Sequence, residues 1–408
     1  MSEILVNIYP ARSGDACLVR FPNKKNIVID MGFKDTYRDY IKEDFETINK
    51  DGEIINLLVI THIDEDHIEG AIEFIKENLF SEDSKIVDID EIWHNSYRHL
   101  QINKRGSLIK GDHEIEIIEE IKNSNDLTNR KDVNECKEVS AYHGSTLASY
   151  LFAYKYNWNG AFKSMAVSTD NKYKDNIDKI YFKLLSPNSK KLKSLSRKWL
   201  SFLKSKKFDF KITEDEIFDD AYELYVRNID DFEINEEKQV SYKNGMVDVE
   251  SLKDIRADST DKSESNGSSI AFELAYNKIK MLFLGDCHED VLINKFKEKV
   301  GNDNYYDLIK LPHHGSLRNN SDWINHVRAK YYIFSTDNIT HDEHPSKELI
   351  SKIIFRNKGN LEKIFLVFNY KINIIKEFDK KELKDLYNYE FIYPKDNEKV
   401  CLSLLEEI

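Results

Sequence analysis

Four potential metal ligands stand within six residues at His62-Ile63-Asp64-Glu65-Asp66-His67, directly after the apolar run Ile54-Ile55-Asn56-Leu57-Leu58-Val59-Ile60-Thr61. The run is mostly β-branched and aliphatic, the pattern of a strand buried on both faces, and a helical pattern follows from Ile68. Strand, ligand-bearing turn and helix place such residues at the carboxyl edge of a sheet, where groups from several strands converge on a crevice. Imidazole and carboxylate together form a donor set for divalent cations. The competing reading is a hydrated polar turn in which Asp66 caps the helix.

Three more ligand-rich turns end apolar runs: Leu282-Phe283-Leu284-Gly285-Asp286, then Leu308-Ile309-Lys310-Leu311-Pro312-His313-His314-Gly315-Ser316, then Tyr331-Tyr332-Ile333-Phe334-Ser335 leading to His344-Pro345. Recurrence of His and Asp at strand ends favours one shared site over independent polar turns. The chemistry such a site suits is hydrolysis, because paired metal ions supply an acidified water and a counter-charge for the attacking and leaving oxygens. His313 and His314 read either as one metal ligand and one group that donates a proton to the leaving oxygen, a role suited to a side chain that titrates near neutrality, or as two solvated turn histidines. Sequence alone leaves open which does which. Ser316 either holds a substrate phosphate or caps the next segment. His94, His99 and His143 read as surface or packing histidines, His341 as exposed, and Cys287 as a small buried hydrophobe.

In order and placement these motifs resemble the metallo-β-lactamase-fold hydrolases, and within them the branch that includes the hydrolase domain of the competence channel ComEC. The resemblance covers roughly residues 1–95 and 265–370 and rests on His62-x-Asp64-x-Asp66-His67, Gly285-Asp286, His313-His314-Gly315-Ser316 and His344-Pro345. It implies an α/β protein, an αββα four-layer sandwich, with two divalent metal ions. By that pattern His62 and Asp64 serve one ion, Asp66 and His67 the other, Asp286 bridges the two and His344 completes the second site, with His314 a further ligand. Asp66, His313 and His314 are the implied catalytic residues. Asp30 would orient ligands from behind, or else only cap a turn. The chain departs from the commonest family motif, His-x-His-x-Asp-His, by carrying Asp64 at the second histidine position. The ligand that usually lies between the first motif and the bridging aspartate has no clear counterpart. A carboxylate in place of imidazole makes the first site harder and more negative, so Mn2+ stands beside Zn2+ as the expected metal.

The chain has 408 residues, enough for one elaborate domain or two, and its 33 % of charged residues indicate a heavily charged surface. A net charge of −13 argues against a protein that grips nucleic acid over a broad basic face, although a local channel remains compatible with 60 Lys and Arg. The four widely spaced cysteines indicate neither a zinc knuckle nor a disulfide framework. No apolar run reaches the ~18 residues of a membrane-spanning helix, and the start at Met1-Ser2-Glu3 lacks a signal-peptide pattern, so a cytoplasmic protein with no membrane association is expected.

The elements that must position the ligands fall into three stretches. Residues 1–95 read as the first half of a metallo-hydrolase core, with strands at 4–9, 16–21, 26–30 and 87–93 and helices at 36–50 and 68–80. Residues 96–262 read as a helix-rich insertion packed beside the core, with helices near 115–122, 145–154, 190–204 and 214–228 and strand-like pieces at 164–168 and 179–186. The polar stretch 258–265 reads as a mobile loop. Residues 263–408 read as the second half, with a hairpin at 269–284, helices at 289–299, 323–328 and 346–355, and C-terminal strands at 364–368 and 400–404. The expected activity is a metal-dependent phosphodiesterase, foremost a nuclease, with nucleic acid as substrate and a protein partner gating activity. The alternatives are a small-molecule hydrolase acting on a nucleotide, phosphoester or lactone, and a non-catalytic, metal-bound effector or regulatory subunit.

Overall fold

The structure is a computed structural model that describes residues 3–101, 139–205, 247–297, 304–339, 344–396 and 398–405. It is an α/β architecture with two mixed sheets. The first has the order β14-β1-β2-β3-β4-β5, built from β1 (Glu3–Ile8), β2 (Ala16–Arg20), β3 (Asn26–Met31), β4 (Leu57–Val59), β5 (Ile92–Trp93) and β14 (Val400–Leu405). The second has the order β13-β12-β11-β10-β9-β8-β7-β6, built from β6 (Asn176–Ile177), β7 (Ile180–Ser186), β8 (Ala271–Tyr276), β9 (Ile279–Phe283), β10 (Tyr305–Lys310), β11 (Arg328–Phe334), β12 (Ile364–Phe368) and β13 (Tyr389–Ile392).

Alternation along the strands decides the layers. Leu57 and Val59 of β4 point into a core shared with Phe272, Met281, Phe283, Leu308 and Val367, so the two sheets pack face to face. Their neighbours Leu58 and Ile60 point the other way, onto Phe45, Ile48, Ile68, Phe74 and Ile75 of the helices Lys42–Lys50 and Glu65–Asn78. On the far side Leu282, Ile309, Tyr332 and Leu366 meet Leu292, Phe296, Leu349, Ile350 and Ile353 of the helices Glu289–Phe296 and Lys347–Arg356. Burial on both faces is why these strands read as continuous apolar runs. From β9 to β13 the strands run parallel, which places their carboxyl ends, and the turns after β9, β10 and β11, along one edge.

Several sequence expectations change. The expected strand at 87–93 shrinks to Ile92–Trp93 because the Asn78 side chain takes its backbone groups: Oδ1 accepts from the N–H of Ile86 and Val87, and Nδ2 donates to Val87 O. No strand forms at 164–168, where Asn95 does the same, accepting from Val167 N–H at 2.8 Å and donating to Val167 O at 2.9 Å. The expected helix at 323–328 is a single turn, Trp323–His326, because Arg328 already opens β11. Within 96–262, β6 and β7 are integral to the second sheet, with β7 antiparallel to β8. The helices expected near 145–154 and 190–204 are Val139–Ala153 and Ser189–Ser205; those near 115–122 and 214–228 lie outside the described residues, as does His341. Among the described residues no helix is long and apolar enough to cross a membrane.

One close approach fixes the edge where the ligands gather. The loop between β1 and β2 runs against the start of the helix Glu65–Asn78, with Asp15 N–H donating to Asp66 O at 3.1 Å. A Cβ at Gly14 would lie 1.9 Å from that same carbonyl oxygen, so only glycine lets the two backbones meet. Gly14→Ala should therefore lower stability in urea denaturation by about 1–3 kcal/mol, the usual cost of forced overpacking; an unchanged midpoint would show that this approach does not exist.

Candidate metal centre

The four strand-end turns come together around Asp286. Its carboxylate lies 3.5 Å from His67 Nε2, 3.6 Å from His314 Nε2, 3.8 Å from His313 Nε2 and 3.9 Å from His62 Nε2. Asp66 stands 3.3 Å from His314 Nε2 and 3.9 Å from His67 Nε2, and Asp64 stands 3.5 Å from His62 Nε2. These separations are too long for good hydrogen bonds. They match the ligand-to-ligand edges, about 3.3–3.8 Å, of a tetrahedron whose metal bonds are ~2.0–2.3 Å. His344 joins the group from the loop after β11, its ring centroid 5.0 Å from that of His313 and 6.4 Å from that of His314.

Three of the four histidines that face Asp286 are hydrogen-bonded through their other nitrogen, and the fourth, His314, turns its Nδ1 toward a carboxylate. His62 Nδ1 meets Thr61 Oγ1 at 3.1 Å, and His67 Nδ1 meets Asp30 Oδ2 at 2.8 Å. Asp30 also accepts from Thr61 N–H and Thr61 Oγ1–H, both at 2.7 Å. Fully buried, Asp30 thus ties the His67 ring to the turn at Thr61. His313 Nδ1 bonds Asn319 Oδ1 at 2.9 Å, and the Asn319 amide donates in turn to Asp261 Oδ2 at 3.1 Å. His314 Nδ1 faces Asp15 Oδ1 at 3.4 Å, and Asp15 forms a buried ion pair with Lys310. Fixing Nδ1 leaves Nε2 as the atom each ring presents to the centre.

The backbone carries strain to achieve this. His313, His314 and Gly315 have φ values of 50°, 54° and 88°, three consecutive residues in the left-handed region. Only Gly315 adopts it without steric cost, and a Cβ there would come 2.7 Å from the Phe334 ring. Non-glycine residues held there cost roughly 1 kcal/mol each or more, and such strain concentrates at functional sites.

Sequence reasoning named His62, Asp64, Asp66, His67, Asp286, His313, His314 and His344, and the structure brings all eight together. It missed Asp15, which with His67, Asp286 and His314 forms a buried group whose ligand atoms all lie within 4.8 Å of one another and can hold a metal ion. Lys310 was the available signal, since a lysine in the otherwise buried strand β10 requires an acidic partner. It also missed Asp261 and Ser265. The stretch 258–265, expected to be mobile, is tied down: Asp261 accepts from Asn266 and Asn319, and Ser265 Oγ–H donates to Asp64 Oδ1 at 2.7 Å. Asp66 does not cap the helix, which starts at Glu65 after Asp64. His94 and His99 are buried against Trp158, and burial holds both below the usual imidazole range, as packing histidines should be. Cys287 is buried, and burial raises its thiol.

Two observations test whether a divalent ion fits. His62 Nε2, His67 Nε2 and Asp286 Oδ1 are buried without a hydrogen-bond partner, as ligand atoms are before a cation takes them up. The donor set, imidazole nitrogens facing carboxylate oxygens, is the one that divalent transition ions take. The residues fit. Electrostatics says the same: burial alone would raise Asp286, but His314, His313, His67 and His62 hold it well below the usual carboxylate range. Burial would lower His314, yet Asp286, Asp15 and Asp66 push it up to about 9, and His67 is likewise raised against its burial by Asp30, Asp66 and Asp286. Without metal, protons on these rings balance the carboxylates.

The chain matches no protein-family model, and no curated protein is similar to it.

A pH dependence follows for protein stripped of metal. A histidine raised to about 9 contributes stability that is complete below its unfolded value near ~6.5 and is lost as pH rises through about 9. The depressed carboxylates contribute above their unfolded value near ~4 and lose that contribution in acid. Chelator-treated protein should therefore have its highest unfolding temperature between about pH 4 and 6.5, falling by several degrees toward pH 9. Protein loaded with Zn2+ or Mn2+ should not show that fall, because metal replaces the protons. A flat profile from pH 6.5 to 9 in the stripped protein would contradict the charge balance described.

Proposed function

We propose that this chain is a metallo-β-lactamase-fold hydrolase of the ComEC-like branch that cleaves phosphodiester bonds with two divalent metal ions. The observation that carries the reading is the single Asp286 carboxylate facing four imidazole Nε2 atoms at 3.5–3.9 Å. The ordered strand-end motifs and the two face-to-face sheets agree with it.

In this reading Asp66, His67 and His314 hold one ion and His62 and Asp64 the other. Asp286, which faces both groups, would serve both ions, since a carboxylate can neutralise two cations where an imidazole cannot. Bound ions supply an acidified water and a clamp on the attacking and leaving oxygens. The protein's part is to orient and to move protons. Asp30 and Asp15 hold His67 and His314 in place, and Lys310 keeps Asp15 charged. His313 is the residue for proton transfer. Its side chain is 24 % exposed against 2 % for His314, its Nδ1 is anchored on Asn319, and of the central carboxylates only Asp286 lies near its Nε2. That division assigns His314 as ligand and His313 as the group that protonates the leaving oxygen. Asp64, accepting from Ser265 and Ser140, adds oxygen where the commonest motif has nitrogen, which keeps Mn2+ beside Zn2+ as the working ion. A net charge of −13 supports a second reading, in which the substrate is a small phosphoester rather than a polymer.

Purified protein supplied with Mn2+ or Zn2+ should hydrolyse bis(para-nitrophenyl) phosphate and cleave DNA or RNA. Asp286→Asn keeps the shape but removes the bridging charge, so elemental analysis should find at least one ion lost. Hydrolysis should fall by about a hundredfold or more, the scale for removing one preorganised electrostatic group. Full occupancy in the variant would refute the bridging role, and no hydrolysis of any phosphodiester with either metal would refute the function.

A further inference from the structure

The two oxygens of Asp64 have different surroundings. Oδ2 lies 3.5 Å from His62 Nε2, its partner in the first metal site, whereas Oδ1 accepts from Ser265 Oγ–H at 2.7 Å. Ser265 is 1 % exposed and stands 201 positions further along the chain. Ser140, in the helix Val139–Ala153, is half-buried and also donates to this carboxylate.

The Ser265 hydroxyl is held where it stands. It belongs to the short helix Glu264–Gly267, which the Ser263 side chain caps by accepting from Asn266 N–H. Ser265 O accepts from Ser268 N–H at 2.9 Å and from Ser268 Oγ–H at 2.7 Å. His288 Nε2 meets Ser263 O at 2.8 Å, and a Cβ at Gly267 would lie 2.7 Å from the same ring. Asp261 Oδ2 accepts from Asn266 at 2.9 Å and from Asn319 at 3.1 Å. Just downstream, Ile270 N–H donates at 2.8 Å to the carbonyl of Thr61, the residue before His62. The segment 261–270 is thus fastened to the ligand turn 61–64 twice, by backbone at Ile270 and by the hydroxyl of Ser265.

A carboxylate with both oxygens free can bind an ion through one of them or through both. Two oxygens on one carbon are too close together to fill two corners of a tetrahedron, so chelation loosens a four-coordinate site and suits ions that take more ligands. A hydroxyl bonded to Oδ1 removes that choice. Oδ2 is then the oxygen left for the ion, and Asp64 offers what an imidazole offers, one donor atom in one direction. On that footing a carboxylate stands at the second position of His62-x-Asp64-x-Asp66-His67 without loosening the site.

We propose that Ser265 is a positioning residue of the first metal site: by holding Asp64 Oδ1 it restricts Asp64 to single-oxygen coordination through Oδ2, so that a segment from the second half of the chain sets the affinity of that ion. This rests on the reading in which His62 and Asp64 bind the first ion. It does not depend on the substrate.

The test titrates metal-stripped protein with Zn2+ by calorimetry and compares the parent with Ser265→Ala and Asp64→Ala. Unfolding temperature without metal confirms that each variant is folded. The first ion is identified as the one that Asp64→Ala loses. Ser265→Ala should weaken that ion by about 10–100-fold, the usual effect of deleting the partner of a metal ligand, and change the second far less. In crystals of the Zn2+-loaded parent, Asp64 should touch the ion through Oδ2 alone while Oδ1 keeps its bond to Ser265. Parent-like affinity for both ions in Ser265→Ala, an equal loss at both sites, or binding of the ion by both oxygens of Asp64 in the parent would overturn the proposal. Asp64→Ala separates the two failures. If it loses the first ion while Ser265→Ala does not, the metal reading stands and only the serine's role falls; if it binds both ions as the parent does, the first site as described falls, and the proposal with it.

Discussion

A buried carboxylate surrounded by four imidazoles is an arrangement a protein can keep only if every charge in it is answered. Asp286 sits at that centre, with His62, His67, His313 and His314 turned toward it and Asp64 and Asp66 behind them. In a low-dielectric interior an unpaired charge costs several kcal/mol, so the cluster must be filled by protons or by cations. The raised histidines and depressed carboxylates are the signature of the proton-filled form. Replacement of those protons by divalent ions is the step on which the proposed function depends.

The rest of the molecule holds that cluster in register. Parallel strands from β9 to β13 bring three turns to one edge, and the first sheet delivers the fourth at the end of β4. Behind the rings lies a layer of different partners: Thr61 bonds His62, Asp30 bonds His67 and Asn319 bonds His313, while Asp15, paired with Lys310, faces His314. Different anchors let neighbouring rings differ in exposure and partners. His314 is sealed against Asp15 and Asp66, while His313 stays near the opening, a difference the paired motif by itself does not reveal.

The strand ends were legible because each joins an apolar run to a polar turn, and two-sided burial leaves little choice of element there. What lay beyond the sequence was mostly the work of single polar side chains. Residues 87–93 carry strand-like side chains, but Asn78 occupies the backbone groups of Ile86 and Val87. Asn95 does the same to Val167. Neither substitution of side chain for strand has a periodicity to detect. Composition also misread 258–265: polar and acidic, it resembles a solvated loop, yet Asp261 accepts from the Asn319 that holds His313, and Ser265 donates to Asp64. Asp15 was hidden by distance along the chain, since its partner Lys310 lies in the opposite half.

Everything proposed here turns on whether Asp286 joins two cations. Anomalous diffraction, recorded at the manganese and zinc absorption edges from crystals grown with each metal, addresses that directly. The proposal predicts two peaks about 3.5–4 Å apart, each within bonding distance of one Asp286 oxygen, the first also bound by Asp66, His67 and His314 and the second by His62 and Asp64. A single peak, or two peaks that both lie out of reach of Asp286, would contradict it.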